Sequence, residues 1–261
     1  MKIIRWNPFE EIMAGTTLRH GGVSKGSLAS LNLALNVKDD IQNVIKNREI
    51  LANYLGTDFK HMISPTQTHS TNLKKVSLED GGKGMYGLED AINDTDALYT
   101  RDENIFLLSY HADCTPVLLY DKKEKLIASI HAGWKGNVKE ITLKTLRYLN
   151  KYENCLPENI YAYIGPCLSY EAFEAKQDII DLVNQMEINS KPYYREVEPG
   201  IYRLDAKGLV KEQLIYFGIP FENITINPRC TKLESEDFFS YRNDHACGRH
   251  VSFIAMKKSQ D

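Results

Sequence analysis

Apolar residues recur at helical spacing in four stretches of the chain. The clearest stretch, residues 41–55, follows the polar pair Asp39 and Asp40 and precedes Gly56, which offers a C-terminal stop. The same periodicity predicts three more helices, over residues 137–148, over residues 177–186, and from about Asp205 to just before Gly218. The sequence therefore predicts a few helices that are separated by long non-helical segments.

Short runs rich in β-branched and aromatic residues lie between these helices. They predict strands over residues 105–110, 116–120, 126–131, 159–164, 223–227 and 250–256. The polar residues 121–124 separate two of these runs and predict a hairpin turn, so part of the sheet is expected to be antiparallel. The elements do not alternate strictly as strand, helix, strand, and this favours an α+β fold over a doubly wound sheet.

The composition is that of an ordinary globular protein. Hydrophobic residues make up 43% and charged residues 26% of the 261 positions, and a chain of this length can bury a large core without disulfides. No internal repeat, low-complexity linker or shift in composition marks a domain boundary. We therefore predict a single domain over residues 1–261.

Charge and cysteine content limit the partners and the cellular compartment that we expect for the protein. The 32 basic and 35 acidic residues give a net charge of -3, which argues against a general nucleic-acid binder because such proteins need a large cationic field. No apolar run approaches the ~20 residues of a membrane helix, and the N-terminus turns polar too soon for a signal peptide. The five cysteines form no Cys-x-x-Cys pair, so we expect a reduced, cytoplasmic protein without membrane or nucleic-acid partners.

Three polar segments adjoin the predicted strands and carry the candidate chemistry. They are residues 66–70, 111–116 and 131–136, and they contribute His69, Cys114 and His131. Two imidazoles and one thiolate suit zinc, and a fourth position left open to water would make the site catalytic. The spacing of these residues by tens of positions is weak evidence by itself, and hydrogen-bonded core histidines with an inert thiol are the simpler interpretation.

The same residues allow a second chemistry. Cys114 could act as a thiolate nucleophile with His131 or His69 as its base, while Asp113 orients that base. The sequence alone does not decide whether Cys114 is a metal ligand or a nucleophile.

Two regions combine features that suit a phosphate and a base. Arg19 precedes the Gly21-Gly22 turn, whose free backbone N–H groups can hold an anion. Near the C-terminus, Arg242 and Arg249 lie among aromatic residues, where an aromatic ring can stack on a base and an arginine can fork onto a phosphate.

Taken together and in this order, these segments resemble the YfiH-like family, also called the laccase-domain or multicopper polyphenol oxidase family. The resemblance covers nearly the whole chain, and its motifs are residues 17–24, 31–33, 67–69, 96–98, 112–117, 131–136, 164–167, 238–242 and 248–249. Members of the family are described as zinc-dependent purine nucleoside phosphorylases that also have adenosine deaminase and methylthioadenosine phosphorylase activity. The combination of motifs is specific, although each motif alone is not.

The resemblance implies a fold and a set of functional residues. It places the metal ligands on His69, Cys114 and His131, with zinc as the metal and copper as an ion that the same donors can hold. The implied fold has two mixed β-sheets packed centrally with helices outside. That fold is similar to the catalytic domain of cytotoxic necrotizing factor toxins, which are Cys-His deamidases. The last similarity keeps a Cys-His hydrolase among the alternatives.

Purine nucleosides and inorganic phosphate are the substrates that the resemblance implies. Phosphorolysis needs an anion pocket, for which the candidates are Arg19, Arg48, Lys135, Arg242 and Arg249. Deamination at C6 of adenine would instead use the metal with Asp113 or a bound water as a proton shuttle. A true multicopper laccase is disfavoured, since the chain has seven histidines and no His-x-His pair.

Four positions depart from the family's usual residues. They are Ser70 after the first ligand, Lys135 in place of a common arginine, Cys247 in place of a common threonine, and His111 where small or β-branched residues are usual. We predict that His111 lies near the metal without being an obligatory ligand, and that it tunes the site from outside the coordination sphere.

Overall fold

Five α-helices are present in the computed structural model, which describes residues 1–258. They are α1 (Ile41–Leu55), α2 (Trp134–Val138), α3 (Ile141–Glu153), α4 (Gln177–Val183) and α5 (Ala206–Phe217). The predicted first helix is confirmed with its boundaries, because the Asp40 side chain accepts a hydrogen bond from the Gln42 N–H and Gly56 adopts a left-handed conformation (φ 69°). In this part of the chain, no helix has the length and apolarity needed to cross a membrane.

The second predicted helix is in fact two helices. Glu140 interrupts the pattern between α2 and α3 with a left-handed backbone conformation (φ 60°). Its carboxylate accepts hydrogen bonds from the N–H groups of Glu187 (2.9 Å) and Ile188 (3.3 Å). The break therefore lets one side chain cap a distant segment, which hydrophobic periodicity does not reveal.

Two mixed sheets form the centre of the molecule. The strands are β1 (Ile3–Trp6), β2 (Ile12–Thr17), β3 (Met62–Ile63), β4 (Leu73–Lys75), β5 (Ala97–Thr100), β6 (Phe106–His111), β7 (Thr115–Asp121), β8 (Leu126–Ala132), β9 (Ile160–Ile164), β10 (Glu174–Lys176), β11 (Tyr194–Glu198), β12 (Ile201–Leu204), β13 (Ile224–Ile226) and β14 (His250–Met256). One sheet has the order β13-β9-β7-β8-β5-β4 and the other has the order β1-β2-β14-β6-β3. The predicted hairpin is confirmed by the antiparallel pair β7–β8, in which Thr115 faces Ala132.

The two sheets pack face to face through one apolar layer. Leu118 and Ile127 from the six-stranded sheet meet Leu107 and Ile254 from the five-stranded sheet, and all four are fully buried. Helices α3 and α5 cover the outer face of the six-stranded sheet, and α1 covers the outer face of the other. The predicted α+β fold with central mixed sheets and outer helices is confirmed.

A third, three-stranded sheet was not predicted. It has the order β10-β12-β11 and is antiparallel throughout. Its residues are exposed or half-buried, apart from Ala175 and Leu204, which are buried under α4. A short strand with one buried position leaves little hydrophobic signal, and this explains why the sequence analysis missed it.

The layered packing brings the ends of three buried strands to one edge. Strand β6 ends at His111, β7 begins at Thr115, and β8 ends at Ala132. Because β7 and β8 pair antiparallel with Pro116 opposite His131, the start of one and the end of the other lie side by side. This edge of the sandwich is where the polar segments of the sequence meet.

The Gly21-Gly22 turn packs against α1, and two of the N–H groups around it already have acceptors. Gly22 donates to Ser30 Oγ (3.1 Å) and Val23 donates to Asn47 Oδ1 (2.8 Å), which leaves fewer N–H groups for the predicted anion. Asn47 is fully buried on α1 and also donates to the carbonyls of Asn32 and Ser30. The glycines let the chain approach this helix closely, because a Cβ on Gly22 would lie 2.4 Å from Asn47 Oδ1.

Replacing Asn47 with alanine should therefore destabilise the protein. The change removes the acceptor of the Val23 N–H and the donor to the buried Asn32 carbonyl, while the Ser30 carbonyl keeps the Ser24 N–H, and we expect a loss of about 1–3 kcal/mol in the free energy of unfolding. Urea denaturation followed by circular dichroism measures this loss. Asn53→Ala, at an exposed position of the same helix, is the matched control and should change stability by less than about 0.5 kcal/mol. Equal effects of the two substitutions would show that Asn47 does not hold the turn.

Candidate active site

His69, Cys114 and His131 converge at the strand edge. One potential ligand atom from each residue lies within 4.8 Å of the other two, and Cys114 Sγ lies 3.7 Å from His69 Nε2. The two imidazole rings are 4.9 Å apart and steeply inclined at 72°. Two nitrogens and one sulfur at this spacing fit the donor set of a tetrahedral metal with one open position. Among residues 1–258, these three side chains form the one group of histidine, cysteine or acidic residues whose ligand atoms lie close enough together to hold a metal ion.

Asp96 fixes two of these three residues, although the sequence analysis did not single it out as a site residue. Its Oδ1 lies 2.8 Å from His131 Nδ1 and also accepts from the His69 N–H (3.1 Å). Its Oδ2 accepts from the N–H and the hydroxyl of Ser70, each at 2.7 Å. Because Asp96 holds the proton on Nδ1, Nε2 is the nitrogen of His131 that a metal would bind by displacing the other proton, and carboxylates commonly enforce this arrangement on metal-binding histidines.

Electrostatics favour the ionised forms in this cluster. Burial would raise the pKa of Asp96, but the hydrogen bond and charge of His131 together with Ser70 outweigh it and hold the pKa at about 2. Burial likewise opposes ionisation of Cys114, yet the charge of His131 and the hydrogen bonds from both histidines lower the pKa of the thiol to about 6. The negative partners Cys114 and Asp96 overcome burial to raise the pKa of His131 to about 9. The site therefore presents a thiolate at neutral pH, which is the form that binds metals and attacks carbon.

Close backbone packing holds the ligands in place. Gly133, the residue before α2, lies directly against them, and a Cβ at this position would lie 2.3 Å from His69 Cδ2 and 3.3 Å from Cys114 Sγ. His69 itself adopts a left-handed backbone conformation (φ 60°), which the hydrogen bond from its N–H to Asp96 supports. The motif glycine after the second histidine is therefore explained by a steric requirement.

A cavity of about 650 Å³ is lined in part by His69, Cys114 and His131. Its apolar walls include Leu35, Leu88, Trp134, Leu168 and Phe173. Apolar walls with a few converging polar groups are typical of small-molecule sites. The volume and the aromatic rings suit a flat heteroaromatic ligand.

Arg48 contributes a buried positive charge to the wall of this cavity. The side chain is 2% exposed, its Nε donates to the Leu33 carbonyl (2.8 Å), and its Nη1 donates to the carbonyls of Gly84 and Met85. Its guanidinium lies over the Tyr110 ring at 5.2 Å. In the described part of the chain no carboxylate pairs with Arg48, although buried charges are normally paired.

Three further predicted cations lie around the same cavity. Lys135, Arg242 and Arg249 line it together with Arg48. Arg242 packs over the Phe173 ring (5.1 Å) and Arg249 over the Tyr241 ring (5.6 Å). The structure thus brings four of the five predicted phosphate-binding residues to one cavity.

Arg19 is the predicted cation that the structure places elsewhere. Its guanidinium donates to the carbonyls of Ala29 (2.9 Å) and Ser235 (2.9 Å) and lies over the Phe239 ring, away from the residues that line the cavity. Arg19 therefore ties the C-terminal segment to the turn after β2 and does not join the four cations that line the cavity.

Asp113 points toward the C-terminal segment. Its carboxylate accepts hydrogen bonds from Thr231 Oγ1 (2.7 Å), Ser240 Oγ (3.0 Å) and the Arg242 N–H (2.7 Å). These contacts anchor the segment that carries Arg242 beside the cavity. With three donors already on its oxygens, Asp113 is better placed to position its neighbours than to move protons.

His111 lies in the wall of the cavity and outside the three-residue ligand group. Its Nε2 is 2.8 Å from Ser252 Oγ, and the ring is 1% exposed. This position agrees with the expectation that His111 lies near the site without being one of its ligands.

The chain is similar over most of its length to one characterised protein family. A family model described as "Multi-copper polyphenol oxidoreductase laccase" matches residues 13–257. A relative in Bacillus subtilis (strain 168), named "Purine nucleoside phosphorylase YlmD", is 36% identical over 251 residues, which cover 96% of this chain and 90% of the relative.

Two solved structures have the same fold. The crystal structure of YlmD from Geobacillus stearothermophilus superposes with a TM-score of 0.96 at 32% identity, covering 99% of this chain and 97% of that one. The crystal structure of the Bacillus licheniformis hypothetical protein YfiH also gives a TM-score of 0.96, at 33% identity, covering 98% and 96% of the two chains.

Substituting Asp96 with asparagine should weaken metal binding while leaving all three ligands in place. The amide cannot supply the negative charge that fixes the His131 tautomer, and changes of this kind typically lower metal affinity about 10- to 100-fold. Competition with a chromophoric chelator measures the affinity. Asp94→Asn alters a neighbouring exposed carboxylate that bonds Thr68 and Asn72, and it should leave the affinity unchanged. Equal affinity in Asp96→Asn and the unmodified protein would remove the assigned role of Asp96.

Proposed function

We propose that this chain, which belongs to the YfiH-like family described as multi-copper polyphenol oxidoreductase laccase, is a zinc-dependent purine nucleoside phosphorylase. The name of the Bacillus subtilis relative supports the reaction class. The substrates in this proposal are a purine nucleoside and inorganic phosphate.

One observation carries the proposal beyond family membership. The metal-binding group and the unpaired Arg48 line the same cavity. A buried cation without a carboxylate partner is stabilised by an anionic ligand, and Nη2 of Arg48, which donates to none of the three carbonyls, is the nitrogen that would meet a phosphate oxygen. A neutral substrate alone would leave this charge uncompensated.

The residues of the cavity have distinct parts in the reaction. Arg48 would orient the phosphate so that one of its oxygens attacks C1′ of the ribose. The bond from C1′ to the purine nitrogen breaks, its electron pair stays on the purine, and the products are ribose 1-phosphate and the free base once that nitrogen gains a proton. Trp134 and Phe173 would hold the base, while Lys135, Arg242 and Arg249 draw anions to the cavity.

Zinc fits the residues that are present, since two imidazoles and a thiolate are its preferred donors. When bound there, it would supply Lewis-acid stabilisation of negative charge in the transition state. The protein itself would keep Cys114 as a thiolate and direct Nε2 of His131 toward the metal. Copper can bind the same donors, because it outcompetes zinc at most nitrogen and sulfur sites.

Two further activities belong to the proposal. Adenosine deamination and methylthioadenosine phosphorolysis would use the same cavity, the first releasing ammonia from C6 and the second cleaving the same type of glycosidic bond. The products separate them, since deamination of adenosine yields inosine and phosphorolysis yields adenine. We place the protein in the cytoplasm, in keeping with its five free cysteines.

A Cys-His hydrolase is the second candidate. The lowered pKa of Cys114 beside His131 favours it, because a thiolate–imidazole pair is the nucleophile of such enzymes. The family resemblance to cytotoxic necrotizing factor toxins would agree with it. A covalent adduct on Cys114 in the intact mass of the enzyme during turnover would support this candidate against the phosphorylase. A polyphenol oxidase with several coppers has less support, because the described residues offer one three-ligand group.

Cleavage of adenosine should depend on phosphate and on Arg48. Arg48→Gln removes a charged hydrogen bond worth about 1.5–3 kcal/mol, so the KM for phosphate should rise roughly 10- to 150-fold. Steady-state assays of adenine and ribose 1-phosphate measure this change, and metal analysis should give the same zinc content as the unmodified enzyme.

Two controls make this test specific. Arg195→Gln removes an exposed arginine of β11 and should leave the KM for phosphate unchanged. Since Arg48 also supports three carbonyls, Arg249→Gln provides a second test at the cavity if the Arg48 variant does not fold, and its KM for phosphate should also rise. Ribose as the product, in a yield that ignores added phosphate, would contradict phosphorolysis.

A further inference from the structure

The ring of His111 has one nitrogen without a partner. Its Nδ1 is buried and makes no hydrogen bond in the structure, while Nε2 is engaged by Ser252 Oγ at 2.8 Å. An unsatisfied buried nitrogen costs about 1–3 kcal/mol, so such atoms are usually satisfied by a ligand or an ordered water. The residue lines the cavity that holds the metal-binding group.

The protein groups behind the ring cannot satisfy this nitrogen. His250 is the cross-strand neighbour of His111, and its Nε2 accepts a hydrogen bond from the Phe239 N–H (2.8 Å). The proton of His250 is therefore on Nδ1, where it is used in a bond to the backbone carbonyl of His111 (3.2 Å). Ser252 in turn bonds Thr16 Oγ1 (2.7 Å). His250 and Ser252 thus both have other partners.

The ring is also kept neutral. Burial lowers the pKa of His111 well below its usual range, and the positive charges of His131 and Arg249 lower it further. A neutral imidazole has one donor and one acceptor nitrogen, and the rotating Ser252 hydroxyl can pair with Nε2 in either role. The Nδ1 atom can therefore meet a donor or an acceptor, but it offers no charge to an anion.

We infer that His111 is a specificity-determining residue whose Nδ1 forms a hydrogen bond with the purine nucleoside in the cavity. The inference rests on the proposed function and names the contact for the neutral substrate, since base heteroatoms and ribose hydroxyls are uncharged partners of the kind that a neutral ring requires. The phosphate has Arg48 and the other cations of the cavity, so the two substrates depend on different side chains.

Two substitutions test the two nitrogens of this ring one at a time. In His111→Asn the amide occupies the place of Nδ1 and lacks the reach to Ser252. In His111→Gln the amide reaches Ser252 in place of Nε2, and no polar atom remains where Nδ1 was. His61→Gln, at a surface histidine paired with Asp58, is the matched control.

Steady-state kinetics and thermal unfolding of these variants test the inference. We expect the KM for the nucleoside to rise roughly 3- to 10-fold in His111→Gln, with kcat and the KM for phosphate unchanged, because a contact equal in ground and transition states affects only KM. His111→Asn should keep the nucleoside KM but melt at a lower temperature, since it loses the bond to Ser252. If His111 had only a structural role, the less stable variant, His111→Asn, would be the one with the raised KM for the nucleoside. His111→Gln, which keeps the bond to Ser252, would then keep its KM.

A spectroscopic measurement covers the case in which the Asn variant does not fold. The ¹⁵N resonance of His111 Nδ1, assigned by its loss in His111→Gln, should shift when adenosine is added without phosphate. A nucleoside KM unchanged in His111→Gln, or a resonance that ignores adenosine in an active enzyme, would overturn the inference and leave the proposed function intact. An unmodified enzyme that neither binds nor cleaves nucleosides would overturn both.

Discussion

The buried carboxylate of Asp96 joins three segments that lie far apart in the sequence. It sits just before β5, bonds Nδ1 of His131 on β8, and receives the backbone N–H groups of His69 and Ser70 from the loop after β3. One charge thus sets the tautomer of one imidazole and the backbone conformation of the other. Without it, His69 would lose the bond that supports its left-handed conformation, and His131 would lose the proton acceptor that frees Nε2.

The sandwich makes this arrangement rigid. Strands β6, β7 and β8 are almost fully buried, and β6 and β8 end at the edge where β7 begins. The residues next to these strand ends therefore have fixed positions. Gly133 then admits the first turn of α2 against His69 at a distance that no side chain would allow. On the opposite wall, Asp113 anchors the segment that carries Arg242. The cavity is therefore built from buried strands and tied loops, which is the preorganisation that a transition state requires.

Much of this architecture could be predicted from local pattern. Helix α1 was predicted with its caps because Asp40 and Gly56 are local signals, and the strands around Cys114 and His131 are continuous apolar runs. Strand β2 was missed because Gly15 and Ala14 interrupt its β-branched residues, and the break at Glu140 was missed because its cause is a contact with Glu187.

The three candidate metal ligands were predicted from a family resemblance, because the spacing of these residues along the chain does not by itself indicate a metal site. Asp96, the structural role of Arg19, and the orphaned nitrogen of His111 depend on neighbours distant in sequence, which one sequence does not reveal. The extent of the domain over all 261 positions stays a prediction.

The central claim is that Cys114 serves the protein as a metal ligand together with the two histidines. X-ray absorption at the zinc edge of the purified protein tests this claim most directly, since it reports the atoms that surround the ion. We predict one sulfur at about 2.3 Å and two imidazole nitrogens at about 2.0–2.1 Å, with a further light atom in the open position. A zinc spectrum without a sulfur neighbour, or a fully active protein that contains no metal, would contradict this assignment of the site.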